Sequence, residues 1–247
     1  DSARQVRAML EPVLAELGHP VSFEHQGSVT NNTHIEFHSD IDLLVLTDRF
    51  VTKQPPLRPT NPYSGDPVSD LGELRDHCQG SLAEGGCAQS LDSGGARALS
   101  VMPPAVECKV DVVPANWIDT VEYEQTGDKT HRGIYVFDQR EQIRVKNFPF
   151  LHNAAIDRRD GATGGMLRPL IRLVKSVRSD AVSRPAVSSY DIASLCYHMP
   201  DALYPDGEDP ADLVHNFNRF ALDLVQDSSR RISLLVPNGD RPLFDEK

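Results

Sequence analysis

No apolar run in this 247-residue chain approaches the length of a membrane span, so no membrane partner is expected. Its four cysteines, Cys78, Cys87, Cys108 and Cys196, show no paired CxxC spacing. That pattern implies neither a cysteine-based zinc site nor a disulfide framework, and the expected setting is reducing and cytoplasmic. An apolar leader is missing as well: Asp1-Ser2-Ala3-Arg4 opens an amphipathic stretch, and the first residue is not Met, which leaves room for a trimmed start. Positive charge is scarce, with 25 Lys and Arg against 36 Asp and Glu and a net charge of −11. This argues against a broad nucleic-acid-binding surface, so a long nucleic acid is not the expected substrate. There is no internal repeat. Gly161-Ala162-Thr163-Gly164-Gly165 follows no strand, so it reads as a loop and not as a P-loop.

The chain does carry acidic residues inside apolar runs. Gly27-Ser28 precedes Asp40-Ile41-Asp42, which leads into the apolar segment Ile41 to Leu46. Residues two apart on a strand share a face, so Asp40 and Asp42 present two carboxylates together while Ile41 and Leu43 point the other way. Asp111 lies in a second such run, Lys109-Val110-Asp111-Val112-Val113-Pro114. Like charges held together and buried are costly, and a divalent cation relieves both penalties. Three carboxylates on adjacent strands suit hard metal ions with oxygen ligands.

Periodicity predicts a helix over 2–17 with a stripe of Val6, Met9, Leu10, Val13 and Leu14, then a strand over 21–25 and the strand of Asp42. Residues 52–66 read as a loop, 67–82 as a short helix, 84–96 as a flexible stretch, and 97–101 and 106–113 as strands. Residues 165–180 form an amphipathic helix with a buried stripe of Leu167, Leu170, Ile171, Val174 and Val177 and with Pro169 in its first turn. Arg168, Arg172 and Lys175 stand on another face of it. Helices over 189–199 and 210–226 follow, the latter opened by Asp209-Pro210, and Pro237-Asn238-Gly239-Asp240 is a turn. Residues 140–184 hold ten Arg or Lys and four acids, a local basic stretch suited to a small polyanion carried with its metal ions. His131, His152 and His198 have no partner in the pattern and read as structural. The expected fold class is α+β: a mixed sheet with helices over 1–146, a helical lobe over 147–247, and a cleft between them.

The order Gly-Ser, Asp-x-Asp, third Asp resembles the nucleotidyltransferase superfamily with the DNA polymerase beta-like catalytic core. The stretch Leu170 to Ala181, followed by Val187-Ser188-Ser189-Tyr190, resembles the helical lobe of the cyclic GMP–AMP synthase and 2′-5′ oligoadenylate synthetase branch, whose bacterial members are the CD-NTases. The resemblance covers about residues 20 to 200. It implies that Gly27, Ser28, Lys175 and Ser189 hold the triphosphate, that Tyr190 stacks on the base, and that Asp40, Asp42 and Asp111 are the metal-binding catalytic acids. Taken singly, Lys175 also reads as a solvated charge, Ser189 as a helix cap and Tyr190 as a packing residue. The helix over 2–17 is shorter than the family's usual spine helix.

The implied activity is a joining of nucleoside triphosphates, with two Mg²⁺ ions and Mn²⁺ as a substitute, into a cyclic or linear oligonucleotide second messenger, with release of pyrophosphate, in bacterial antiphage signalling. The resemblance also leaves room for a regulatory protein partner. Two rivals stand beside it: a toxin-like enzyme that adds a nucleotide to tRNA or protein, and an inactive nucleotide-binding module.

Overall fold

The structure, a computed structural model, describes residues 2–35, 40–104, 108–183, 185–205 and 210–244. Asp1, Arg184, Asp209 and the 106–107 end of an expected strand lie outside the described residues. The elements are α1 (Ser2–Glu16), β1 (Val21–Gln26), α2 (Gly27–Thr30), β2 (Ile41–Lys53), α3 (Pro67–Leu82), β3 (Leu99–Val101), β4 (Val110–Asp119), α4 (Val121–Thr126), β5 (Gly133–Asp138), β6 (Ile143–Asn147), α5 (Pro149–Ala162), α6 (Leu167–Asp180), α7 (Ser189–Tyr197), α8 (Pro210–Gln226) and α9 (Ser228–Ser233). Among the described residues no helix is long and apolar enough to cross a membrane.

The chain divides into two compact units: Asp1–Thr30 with Ser39–Phe150, and Asn31–His38 with Leu151–Lys247. The first is built on a six-stranded mixed sheet in the order β1-β2-β4-β5-β6, with β3 also paired to β4. Only the β2–β4 pairing is parallel among these ladders. Both faces of the central strands are covered. Leu43 and Val45 of β2, with Val110 and Val112 of β4, pack against Val6, Leu10 and Leu14 of α1 and Leu71, Leu74, Cys78 and Leu82 of α3. On the opposite face Leu44, Leu46, Val113, Ala115 and Trp117 form a second cluster. The helical residues recur every three or four positions and the strand residues every two, the spacings that put a stripe or a face against one core. A buried Leu of this kind stabilises by about 1.5–3 kcal/mol. Asp66 caps α3 by accepting from Val68 N at 3.0 Å, and Pro67 takes the first helical position, where no N–H is needed.

β5 and β6 were not expected from the sequence. They pair as an antiparallel hairpin whose turn has Gln142 at φ 53° and no Asn-Gly or Asp-Gly signature. The Asp138 carboxylate holds that turn by accepting from the backbone N–H groups of Arg140 and Glu141. α5 was also missed, and Pro149 begins it.

The second unit has a separate core in which Ile156, Leu167, Leu170, Ile171, Ile192, Cys196, Leu213, Phe217 and Phe220 pack together. Val177 is a correction to the expected stripe of α6: it is 63% exposed. Lys175, expected on an outer face with Arg168 and Arg172, is buried instead. The reason lies in Asn31–His38, which the sequence reading counted with the N-terminal part and which the structure returns with the helices. Three successive backbone carbonyls of that segment accept from α6: Asn31 from Arg168 Nε at 2.8 Å, Asn32 from Arg172 Nη1 at 2.7 Å and Thr33 from Lys175 Nζ at 2.6 Å.

Candidate active site

β2 and β4 run parallel with Asp42 directly opposite Asp111, and β3 runs antiparallel to β4 with Ser100 opposite Asp111. Strand alternation then fixes the faces. Ile41, Leu43, Val110 and Val112 turn to the helix-covered side, so Asp42, Asp111 and Ser100 share the other, beside the cluster of Leu44 and Val113. The Ser100 hydroxyl donates to Asp111 Oδ1. Asp40 precedes β2, and the Lys109 ammonium spans it and Asp111, at 3.0 Å from Asp40 Oδ2 and 3.4 Å from Asp111 Oδ1.

The electrostatics are those of crowded carboxylates. Burial, then the charges of Asp111 and Asp40, push the Asp42 carboxyl up to about 7, with Lys109 opposing them. Burial alone would depress the Lys109 ammonium, but its hydrogen bond to Asp40 and the charges of Asp111 and Asp40 outweigh it and raise its pKa. Lys109 is thus the cation the sequence reading overlooked, and Ser100 the overlooked neighbour of Asp111. Lys109 stood in the apolar run as a bare charge, and only the strand register shows which acids it meets.

Gly27 closes this arrangement. Its φ is +80°, and a Cβ placed on it would lie 1.9 Å from Asp42 Oδ2. No L side chain fits there without moving the carboxylate. Ser28 follows in α2 and is partly exposed.

The donor set fits Mg²⁺ or Mn²⁺. It is all oxygen, one carboxyl is raised for want of positive charge, and an ammonium already bridges the other two. Asp40, Asp42 and Asp111 are the residues that would hold such ions.

The other expected residues lie in the second unit. Lys175 is buried on α6, with its ammonium on the Thr33 carbonyl, and burial followed by the charge of Arg178 lowers its pKa to about 8. Ser189 is exposed and opens α7, but the cap is Ser188, whose hydroxyl accepts from Asp191 N at 3.0 Å. The Tyr190 ring stacks on His152 of α5 at 4.4 Å between centroids, and the Arg241 guanidinium lies over it at 5.5 Å. Burial raises the Tyr190 phenol to about 12 and lowers the His152 imidazole to about 4. The structure therefore brings Gly27, Asp40, Asp42 and Asp111 together in the first unit, with Ser28 next to Gly27 in sequence, and places Lys175, Ser189 and Tyr190 on α6 and α7 of the second.

The fold and the carboxylate site together define a polymerase beta-like nucleotidyltransferase core followed by a helical domain. Residues 154–247 match the profile of the cGAS/DncV-like nucleotidyltransferase C-terminal helical domain. A cyclic dinucleotide synthase CdnE of Yersinia aleksiciae is 32% identical over 238 residues, spanning 94% of this chain and 62% of that protein. A c-di-GMP synthase of Lachnospiraceae bacterium (strain RUG226) is 29% identical over 209 residues, 74% of this chain and 60% of that protein. The solved structure of a STING-associated CdnE c-di-GMP synthase from Flavobacteriaceae sp. superposes with a TM-score of 0.81 at 24% identity, over 98% of this chain and 74% of that one. Over nearly its whole length the chain is similar to these CD-NTase synthases, and residues 154–247 match the helical domain of that family. It spans about three fifths of the length of the two curated relatives.

Proposed function

We propose that the chain is a metal-dependent nucleotidyltransferase that joins nucleoside triphosphates into an oligonucleotide second messenger, releasing pyrophosphate. The observation that carries this reading is the Gly27–Asp42–Asp111 arrangement: two carboxylates in register on parallel strands, one pressed against a glycine that admits no side chain. In this reading the hydroxyl of one nucleotide attacks the α-phosphorus of another in line, and Asp111, oriented by Ser100, accepts its proton. Divalent ions held by Asp40, Asp42 and Asp111 would supply charge compensation for the attacking and leaving oxygens. The family resemblance assigns phosphate contacts to Gly27, Ser28, Lys175 and Ser189 and the base to Tyr190, whose ring is backed by His152.

The similar proteins named above are synthases of cyclic dinucleotides, which supports a cyclic dinucleotide as product and makes GTP the first substrate to test. A role in antiphage signalling is part of the same proposal and rests on the family resemblance alone. The test is incubation of the protein with labelled nucleoside triphosphates and Mg²⁺, with and without RNA. A nuclease-sensitive oligonucleotide formed without RNA, and lost in Asp42→Ala, is the expected result. Label appearing only on RNA would establish the macromolecular rival. No turnover of any nucleotide, with binding intact, would establish an inactive module.

A further inference from the structure

The turn between α1 and β1 carries His19, which is 1% exposed. On α3, Glu73 and His77 stand four residues apart and so share a face of the helix. His19, Glu73 and His77 each offer one ligand atom, and these atoms all lie within 4.8 Å of one another. The two rings meet edge to face, with centroids 4.6 Å apart. His19 Nε2 and His77 Nδ1 are both buried and without a hydrogen-bond partner. His19 Nε2 lies 3.6 Å from Glu73 Oε2, beyond hydrogen-bond reach.

Two buried imidazole nitrogens without hydrogen-bond partners, on rings that meet edge to face beside a carboxylate, are costly in a folded protein. A buried polar atom left unpaired loses about 1–3 kcal/mol, and natural structures give nearly every such atom a partner. Water could partner one nitrogen, but a carboxylate beside two rings is better served by an ion. Three donors at about 2.0–2.1 Å from a tetrahedral ion stand about 3.3–3.4 Å apart. The cluster therefore needs only a small inward movement to close. Burial, then the charge of Arg49, keeps the His19 imidazole below its ordinary pKa, and the neutral ring is the form that ligates. Arg49 also holds Glu73 Oε2 at 3.2 Å and the Gly18 carbonyl at 3.1 Å, which orients the carboxylate from outside.

We propose that His19, Glu73 and His77 form a binding site for a divalent transition metal ion, of which Zn²⁺ is the fitting class, with water as the fourth ligand. The site is distinct from the carboxylates of β2 and β4, and its donors are of another kind. Imidazole selects borderline ions such as Zn²⁺, whereas an all-oxygen set selects Mg²⁺. The bound ion ties the turn that ends α1 to the outer face of α3, two segments far apart in sequence, and so stabilises the first unit without entering the chemistry. This inference is independent of the proposed activity.

The test uses the full chain, stripped with chelator, in buffer with millimolar Mg²⁺ to occupy oxygen-only sites. Co²⁺ and then Zn²⁺ are titrated in, with visible absorption, calorimetry and melting followed. The expected results are about one equivalent of Co²⁺ with the intense absorption of a tetrahedral site, its displacement by Zn²⁺, and a rise in Tm. Glu73→Gln lies at the surface and leaves the fold in place, so it separates loss of the site from loss of structure. Glu73→Gln and His77→Gln should each weaken binding more than about tenfold, whereas Asp42→Asn should leave it unchanged. The proposal is overturned if the wild-type chain shows no Co²⁺ or Zn²⁺ binding, if Glu73→Gln and His77→Gln bind as tightly as wild type, or if Asp42→Asn abolishes the signal.

Discussion

Gly27 and Asp42 constrain each other at the scale of single atoms. A methyl group on Gly27 would overlap the Asp42 carboxylate, and the backbone there is left-handed, where a Cβ costs a further 1–2 kcal/mol or so. Gly27→Ala should therefore fold but displace Asp42, and a shift of about 1 Å at a reacting centre costs roughly a hundredfold in rate. Steady-state turnover beside a circular dichroism spectrum checks it, and normal turnover would remove Gly27 from the site. Asp42 itself gives a prediction with a definite sign. Its folded pKa of about 7 lies above the ordinary carboxylate value, so the folded state holds the proton more tightly than the unfolded chain. Stability from this residue is then greatest below pH 4 and declines as pH rises towards 7 and beyond. Asp42→Asn should stabilise the metal-free protein at pH 8, by up to about 4 kcal/mol, and have little effect at pH 4. Melting curves at both values in chelator decide it.

Among the elements, α6 joins three of its basic side chains to a single task. Arg168, Arg172 and Lys175 are spaced to meet three consecutive carbonyls, and they hold Asn31 to Thr33 in line along the helix. Arg168 is fixed in turn by Asp157 and Asp160. Lys175→Ala removes a buried ammonium hydrogen bond and, in the proposed reading, a phosphate contact. It should lower Tm and raise KM for every nucleoside triphosphate by a similar factor of about ten or more, since a hydrogen bond to a charged group contributes about 1.5–3 kcal/mol. A variant that discriminates strongly between ATP and GTP would contradict the phosphate role. The sequence displayed α6 clearly because its apolar spacing and its cations are local facts. So were α3 and α8, where Pro67 and Pro210 mark the starts. Strand parity alone put Asp42 on one face and Ile41 on the other, as the structure has them. The hairpin β5–β6 was illegible because Gln142 makes its turn without glycine or asparagine. The destination of Lys175 was illegible for another reason: its partner is a backbone carbonyl 142 positions away, and a carbonyl carries no residue signature. His19 and His77 escaped notice likewise, being 58 positions apart and joined only by folding.

Over the whole molecule, the two units carry buried titrating groups whose pH dependences oppose each other. His152, in the helical unit, is held near pKa 4 by burial, below its ordinary 6.5. The unfolded chain therefore binds the proton first, and the stability His152 permits is complete above pH 6.5 and lost as pH falls towards 4, by about 3 kcal/mol. His152→Phe keeps an aromatic ring against Tyr190 and removes the ionisable group, so the acid side of the stability profile should flatten. Denaturant midpoints at pH 4.5 and 7.5 measure it, and an unchanged acid loss would place the sensitivity elsewhere. In metal-free wild type these two groups should nearly cancel between about pH 4 and 6.5, because Asp42 loses there about what His152 gains.

The four cysteines are free thiols, and three of them, Cys78, Cys87 and Cys196, are buried, while Cys108 is partly exposed. A thiol reagent therefore meets one position first, and that position is next to Lys109, whose ammonium bridges Asp40 and Asp111. Nature has left the chain with a built-in attachment point for a reporter group. A fluorophore coupled to the native protein, with no engineering, would sit one residue from the lysine that bridges the carboxylates and turn cation or substrate occupancy into light.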